Sequence, residues 1–177
     1  MSQGNTVADL ARAIRNIPDF PKPGIQFKDI TPVLADASLF AACIDHLTDG
    51  FEPGSIDTVV GIDARGFIFA AAAALKLRAG FVPIRKKGKL PYQTFEQSYD
   101  LEYGSNTIAI HTDALKPGSR ILLVDDLLAT GGTAGAAVEL IRKRGADVLE
   151  AIFFIELRFL QGRDKLKGFP VRSLVVY

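Results

Sequence analysis

The stretch "RILLVDDLLATGGT", residues 120–133, sets two adjacent carboxylates, Asp125 and Asp126, at the end of an apolar run. A small, hydroxyl-rich, glycine-paired turn follows, and "AGAAVELIRKRG" after it has the apolar spacing of a helix closed by Gly145. A helix start offers unpaired N–H groups and the positive end of the helix dipole. With the hydroxyls of Thr130 and Thr133, that makes a seat for a monophosphate. Gly131 and Gly132 let the backbone approach such a ligand closely. A threonine-capped helix behind a flexible turn would share this pattern, and the acid pair is what argues for more. Neighbouring carboxylates repel each other unless hydroxyl donors or a divalent cation meet them, and a ribose diol supplies two donors at once.

Three further stretches carry candidate chemistry. "VVGIDARGF", residues 59–67, repeats the order of strand, acid, arginine, glycine and helix. Arg65 there can fork onto a phosphate or pyrophosphate, or serve as a surface ion-pair residue. "IRKKGKLP", residues 84–91, concentrates Arg85, Lys86, Lys87 and Lys89 in a chain of 21 Lys+Arg against 20 Asp+Glu. Such local charge suits a diphosphate, and a solvated basic loop has the same composition. From there to residue 103, "KLPYQTFEQSYDLEY" is polar, aromatic and weakly patterned, which suggests a lid or hood loop over about 86–104. Glu102 and Tyr103 end it. Under a closed lid Glu102 would be desolvated and suited to proton transfer; otherwise it is an exposed loop glutamate.

These residues need a scaffold that brings loops together. Short apolar runs at 57–62, 80–85, 120–125, 149–157 and 171–177 alternate with helical patterns, most clearly at 66–78 and 132–144. Continuous apolar runs suggest strands covered on both faces, and the strand, helix, strand order suggests right-handed parallel crossovers. The expected fold is α/β, an open, mostly parallel twisted sheet flanked by helices. Ligands in such sheets bind beyond the carboxyl ends of the strands, where all four stretches fall. Val7, Leu10, Ala11, Ile14 and Ile17 recur at helical spacing and read as an N-terminal amphipathic helix.

Composition narrows the function. At 177 residues and 48% hydrophobic content, one globular domain over 1–177 is expected. A net charge of +1 gives no global field for nucleic acid or an anionic membrane. The longest apolar stretch, "GFIFAAAAAL", has ten residues, well short of the ~20 of a membrane span. A cytoplasmic protein with neither nucleic acid nor membrane as partner is expected. The single cysteine, Cys43, rules out an intramolecular disulfide and suits a core helix. His46 and His111 fall in a helical and an extended pattern, and no spacing supports zinc.

A monophosphate seat, a diol acceptor and a pyrophosphate seat together fit phosphoribosyl pyrophosphate. "ILLVDDLLATGGT" resembles the phosphoribosyl pyrophosphate motif of the type I phosphoribosyltransferase family, and its "DDLLATGGT" ending is similar to that of the adenine-specific branch. "IPDFPKPGIQFKDITPVL" (17–34), "GIDARGFIF" (61–69), "IRKKGKLP", "YDLEYG" (99–104) and "LKPGSRILLVDD" (115–126) resemble that branch in order and spacing.

The resemblance implies transfer of phosphoribosyl from phosphoribosyl pyrophosphate to adenine, with magnesium (Mg2+) as cofactor and a homodimer as the assembly. It implies that Ala129, Thr130, Gly131, Gly132 and Thr133 hold the 5'-phosphate. Asp125 and Asp126 take the ribose hydroxyls or magnesium-bound water. Asp63, Ala64 and Arg65, through a frequently cis Asp63–Ala64 peptide, face pyrophosphate with Lys86 and Lys89, and Arg85 reaches the neighbouring subunit. A base-recognition segment within about 1–35 places Ile25, Gln26, Phe27 and Lys28 at adenine: Phe27 stacks, the Ile25 and Phe27 main chain reads the base edge, and Leu157 lines the pocket. Glu102 hydrogen-bonds adenine N7, with Tyr103 beside it in the lid. Lys28 stands where the family frequently has arginine, and Ala64 where it frequently has serine. A transferase for xanthine or for hypoxanthine and guanine would share the ribose-phosphate half, but "DLEYG" offers an acid rather than a lysine near the base. A non-catalytic regulator on the same fold would need a DNA-binding module or basic face, and a P-loop enzyme would need G-x-x-x-x-G-K-[ST], absent here.

Overall fold

Two local devices shape the start of the chain. Thr6 and Asp9 form a reciprocal capping box, the Thr6 N–H donating to Asp9 Oδ2 at 2.8 Å, and this begins α1 (Val7–Ala13). The Asp36 carboxylate accepts from the Ser38 and Leu39 N–H groups and begins α3 (Ala37–Leu47), directly after α2 (Thr31–Ala35). The computed structural model describes residues 4–100 and 105–177, which divide into two compact units at Asp49/Gly50.

In the N-terminal unit, β1 (Arg15–Pro18) pairs antiparallel with β2 (Gln26–Asp29), and Leu10, Val33, Cys43 and Leu47 are fully buried. The helical spacing read through Ile17 stops short of it: α1 ends at Ala13, and Ile17 sits in β1 opposite Phe27. An apolar residue every three or four positions cannot reveal that a strand partner ten residues later will capture the end of the pattern.

The C-terminal unit is a seven-stranded sheet. Its strands are β3 (Thr58–Ile62), β4 (Gly80–Lys86), β5 (Thr94–Asp100), β6 (Ser105–His111), β7 (Arg120–Leu128), β8 (Asp147–Glu156) and β9 (Val171–Val176), in the spatial order β5-β6-β4-β3-β7-β8-β9. Strands β4, β3, β7, β8 and β9 are parallel, and the β5–β6 hairpin is antiparallel at one edge. Helix α4 (Gly66–Leu77) packs on β3 and β7, and α5 (Gly132–Arg142) on β5, β6 and β8. Strand alternation explains why both faces are apolar. Val60, Ile62 and Phe153 join the core under α5, whereas Phe154 meets Phe69 of α4 with ring centroids 5.5 Å apart. Gly61 admits α4, because a Cβ there would lie 2.6 Å from the Ala70 Cβ.

Part of the segment expected to be an irregular hood is β5. Residues 94–100 pair with β6 throughout, and Phe95 and Tyr99 pack on the α5 core. Only pairing with β6 makes that alternation visible among the polar residues between them.

Candidate active site

The site arises where β3 and β7 part. Their ladder ends at Gly61 opposite Val124, whereas β7 continues beside β8 to Leu128. Asp125 and Asp126 are thus the first residues of β7 without a β3 neighbour, and they stand at the switch point where open parallel sheets bind ligands. A cavity of about 240 Å³ opens there, lined by residues 62–65 at the end of β3 and 125–134 from β7 into α5. The acid pair, Arg65 and the whole "ATGGT" turn share this one cavity.

Close backbone packing holds the turn in shape. Gly131, at φ +78°, is the N-cap of α5, and no side chain caps the helix. The threonine hydroxyls therefore do not serve as its cap, and the first N–H groups of the helix lack intrahelical partners by rule. A Cβ on Gly131 would overlap the Gly162 carbonyl, and one on Gly162 would overlap the Ala129 carbonyl. Gly162 opens a 3-10 turn, Gly162–Leu166, whose Arg163 forks onto the buried Glu156 at the end of β8, Nε to Oε1 at 2.8 Å and Nη2 to Oε2 at 2.7 Å. Those bonds hold the Glu156 carboxyl below its ordinary range. Strand β8 thereby braces the loop. Gly162 was missed in the sequence because its partners, Gly131 and Ala129, lie more than thirty residues upstream and a lone glycine carries no signal.

The charged groups are mutually engaged. Arg65 Nε lies 2.6 Å from Asp126 Oδ2, and the Asp125 carboxylate accepts the Asp126 N–H at 2.9 Å. Burial pushes the Asp125 carboxyl well above its ordinary value, and the like charge of Asp126 adds to this. Burial also raises Asp126, against the opposing pull of Arg65. Gly66 gives Asp125 its place, since a Cβ there would overlap the Asp125 carboxylate. The Asp63–Ala64 peptide is cis, as the family resemblance implies.

The basic stretch divides in two. Arg85 donates from Nε to Asp63 Oδ2 at 2.8 Å and from Nη1 to the Lys89 carbonyl at 3.0 Å, so it engages its own chain's site. Arg85 and Lys86 line a second cavity of about 190 Å³, which shares Ile62, Asp63 and Thr133 with the first. Lys89 is exposed, and Lys87 pairs with Glu96 at 2.7 Å. Tyr99 and Asn106 also line the second cavity. Neither was singled out in the sequence, because only the β5–β6 pairing, which sets Tyr99 opposite Asn106, brings them there.

The base-recognition candidates Ile25, Gln26, Phe27 and Lys28 lie in the N-terminal unit, and Leu157 belongs to the C-terminal one. The Phe27 ring meets Phe20 edge-to-face at 5.2 Å, Gln26 accepts from Asn16 at 2.8 Å, and Lys28 donates to Asn16 at 3.1 Å. The Ile25 N–H donates to the Lys22 carbonyl at 3.2 Å, and the Ile25 carbonyl accepts the Phe20 N–H at 3.3 Å. Leu157 is half-buried, its N–H donating to the Leu128 carbonyl at 2.9 Å. Glu102 and Tyr103 lie outside the described residues.

Comparison with known proteins agrees with this geometry. The family described as Phosphoribosyl transferase domain matches residues 31–168. The adenine phosphoribosyltransferase of Acidothermus cellulolyticus is 58% identical, over 94% of this chain and 94% of its own. That of a Roseiflexus species is 53% identical over 96% and 98%. Among solved structures, the adenine phosphoribosyltransferase of Rhodothermus marinus superposes with a TM-score of 0.92 at 51% identity, covering 97% of this chain and 98% of its own. The Saccharomyces cerevisiae enzyme, complexed with an imino-altritol bisphosphate and adenine, gives 0.89 at 44% identity over 95% and 97%. Likeness of this extent, in sequence and in backbone, means that the chain belongs to the phosphoribosyltransferase family, within its adenine phosphoribosyltransferase group.

Proposed function

We infer that this chain transfers the 5-phosphoribosyl group of phosphoribosyl pyrophosphate to adenine, releasing AMP and pyrophosphate. The observation that carries this is the cavity in which a helix start without a side-chain cap, two neighbouring acids and an arginine converge. Few metabolites present a monophosphate, a diol and a pyrophosphate at that spacing.

The residues divide the work by charge. Residues 129–133 hold the 5'-phosphate by N–H groups and the helix dipole. Asp125 and Asp126 accept the 2' and 3' hydroxyls, which relieves the repulsion and desolvation that raise both carboxyls. Arg65, paired with Asp126, exchanges that carboxylate for the pyrophosphate. As the bond from C1' to pyrophosphate breaks and adenine N9 attacks C1', positive charge grows on the ribose ring and negative charge on the leaving group. Arg65, Arg85, Lys86 and Lys89 stabilise the latter by their positive charge. The Glu102 carboxylate accepts the N7–H of adenine, which leaves the N9 lone pair to attack C1', and takes up that proton as the N9–C1' bond forms. Phe27 stacks on the purine.

Among the described residues no group of three or more His, Cys, Asp or Glu forms a metal cage. The acid pair suits a magnesium ion that arrives with its substrate, a mode in which the cation keeps several waters and takes one or two carboxylates. When bound, magnesium neutralises the diphosphate. Asp125 and Asp126 would hold it through its bound waters.

A homodimer is supported by α4, where Ile68 and Leu75, two turns apart, are 41% and 83% exposed, with Phe81 of β4 also exposed. Leu75→Glu should shift the sedimenting species to a monomer; an unchanged species would remove this face from the interface. We place the protein in the cytoplasm; among the described residues no helix is long and apolar enough to cross a membrane. The central test is incubation with magnesium, phosphoribosyl pyrophosphate and each purine base in turn. AMP is the expected preferred product, and preference for another base would reject the assignment.

A further inference from the structure

The phosphate turn has a partner outside its own loop. Tyr99 of β5 places its phenol oxygen 2.8 Å from Thr133 Oγ1. The Tyr99 ring packs on the core under α5, so the phenol is held in place and not merely near. Tyr99 also lines both cavities that flank the phosphate turn, one with Asp63, Lys86 and Thr133, the other with Gly132, Gly135 and Lys165.

A threonine hydroxyl has one proton to give and two lone pairs to receive, whereas a phosphate dianion only accepts. With the 5'-phosphate seated, Thr133 must give its proton to the phosphate, and Tyr99 can then act only as donor to Thr133. Without phosphate, either oxygen can be the donor. We propose that Tyr99 is a positioning residue for the 5'-phosphate: its O–H, donating to Thr133 Oγ1, aims the single Thr133 proton at the ligand. Each bond in such a chain polarises the next, so the relay strengthens the contact to phosphate. This role rests on the assignment of residues 129–133 as the phosphate seat. It separates ligands sharply, because ribose 5-phosphate, AMP and phosphoribosyl pyrophosphate all carry the group that Tyr99 serves, while adenine and pyrophosphate do not.

Tyr99→Phe keeps the ring and removes only the hydroxyl. Calorimetric titration with ribose 5-phosphate should show binding weakened by roughly 3- to 10-fold, the range of one net hydrogen bond. The KM for phosphoribosyl pyrophosphate should rise by the same factor while kcat and the KM for adenine stay constant. In a Thr133→Val background, Tyr99→Phe should cause no further loss, because the group through which it acts is gone. An equal loss in both backgrounds, or a matching loss of adenine affinity, would mean a merely structural role and overturn the proposal. Wild-type affinity in Tyr99→Phe would overturn it too. If the wild-type protein itself fails to bind ribose 5-phosphate, the phosphate seat is wrong, an outcome distinct from failure of Tyr99 alone.

Discussion

Gly66→Ala tests whether the place of Asp125 matters. Gly66 is the first residue of α4, and its φ does not fall in the left-handed region, so alanine fits the backbone there. Helix propensity alone predicts stabilisation of up to about 1 kcal/mol. The tertiary contact reverses that sign. The added Cβ would overlap the Asp125 carboxylate oxygen and lie 3.1 Å from its Cγ and 3.4 Å from its Cα, so the carboxylate must swing away. It then loses the Asp126 N–H, a bond of about 1 kcal/mol, and overpacking in a tight site adds about 1–3 kcal/mol. The net expectation is a loss of roughly 1–3 kcal/mol, which for a chain of this size lowers Tm by about 2–12 °C. Function should suffer more selectively. A carboxylate turned from the ribose forfeits a charged hydrogen bond of about 1.5–3 kcal/mol, hence a roughly 10- to 150-fold weaker phosphoribosyl pyrophosphate complex with adenine affinity kept. Differential scanning calorimetry and titration with each ligand measure both effects. In an Asp125→Ala background, Gly66→Ala should cause a smaller loss of stability. A Gly66→Ala protein more stable than wild type, with full ribose-phosphate affinity, would refute the placement of Asp125.

The acid pair also predicts a pH dependence. Because burial raises the native Asp125 carboxyl above its ordinary value of 3.8, the native state binds more protons than the unfolded chain between those two values. The contribution of Asp125 to stability therefore falls as pH rises through that window. Asp125→Asn should raise Tm at neutral pH, by a margin that shrinks on acidification, while weakening phosphoribosyl pyrophosphate binding; a lower Tm at neutral pH would contradict this. Gly162→Ala should push on the Ala129 carbonyl and raise the KM for phosphoribosyl pyrophosphate with the KM for adenine little changed. An equal rise in both would mean that Gly162 does not brace the phosphate turn. Glu102→Leu should lower turnover by ~100-fold or more, and near-normal turnover would exclude Glu102 from the chemistry.

The elements that bear the site were legible because their signals are local. Apolar runs at 57–62 and 120–125 became β3 and β7, and the glycines of "ATGGT" lead into α5 as expected. The hood was read less well. Only alternate residues of Thr94–Asp100 pack on the core, and the polar residues between them mask a strand whose partner, β6, begins at Ser105. Arg85 likewise showed its charge but not its partner, since nothing near position 85 announces Asp63.

Residue type and short-range spacing determined that this chain would build strand-to-helix junctions bearing acids, arginine and phosphate-sized turns. That information is local because it depends on backbone conformation within a few residues. Only the tertiary structure decided that β3 and β7 are neighbours that part after Gly61 and Val124. Sheet order then sets Arg65 on Asp126, Gly66 under Asp125, Gly162 behind Gly131 and Tyr99 on Thr133. Each of those contacts joins groups thirty or more positions apart. Their geometry comes from which backbones share a hydrogen-bonded ladder and how closely two chains can approach, and neither is written in the spacing of either partner alone.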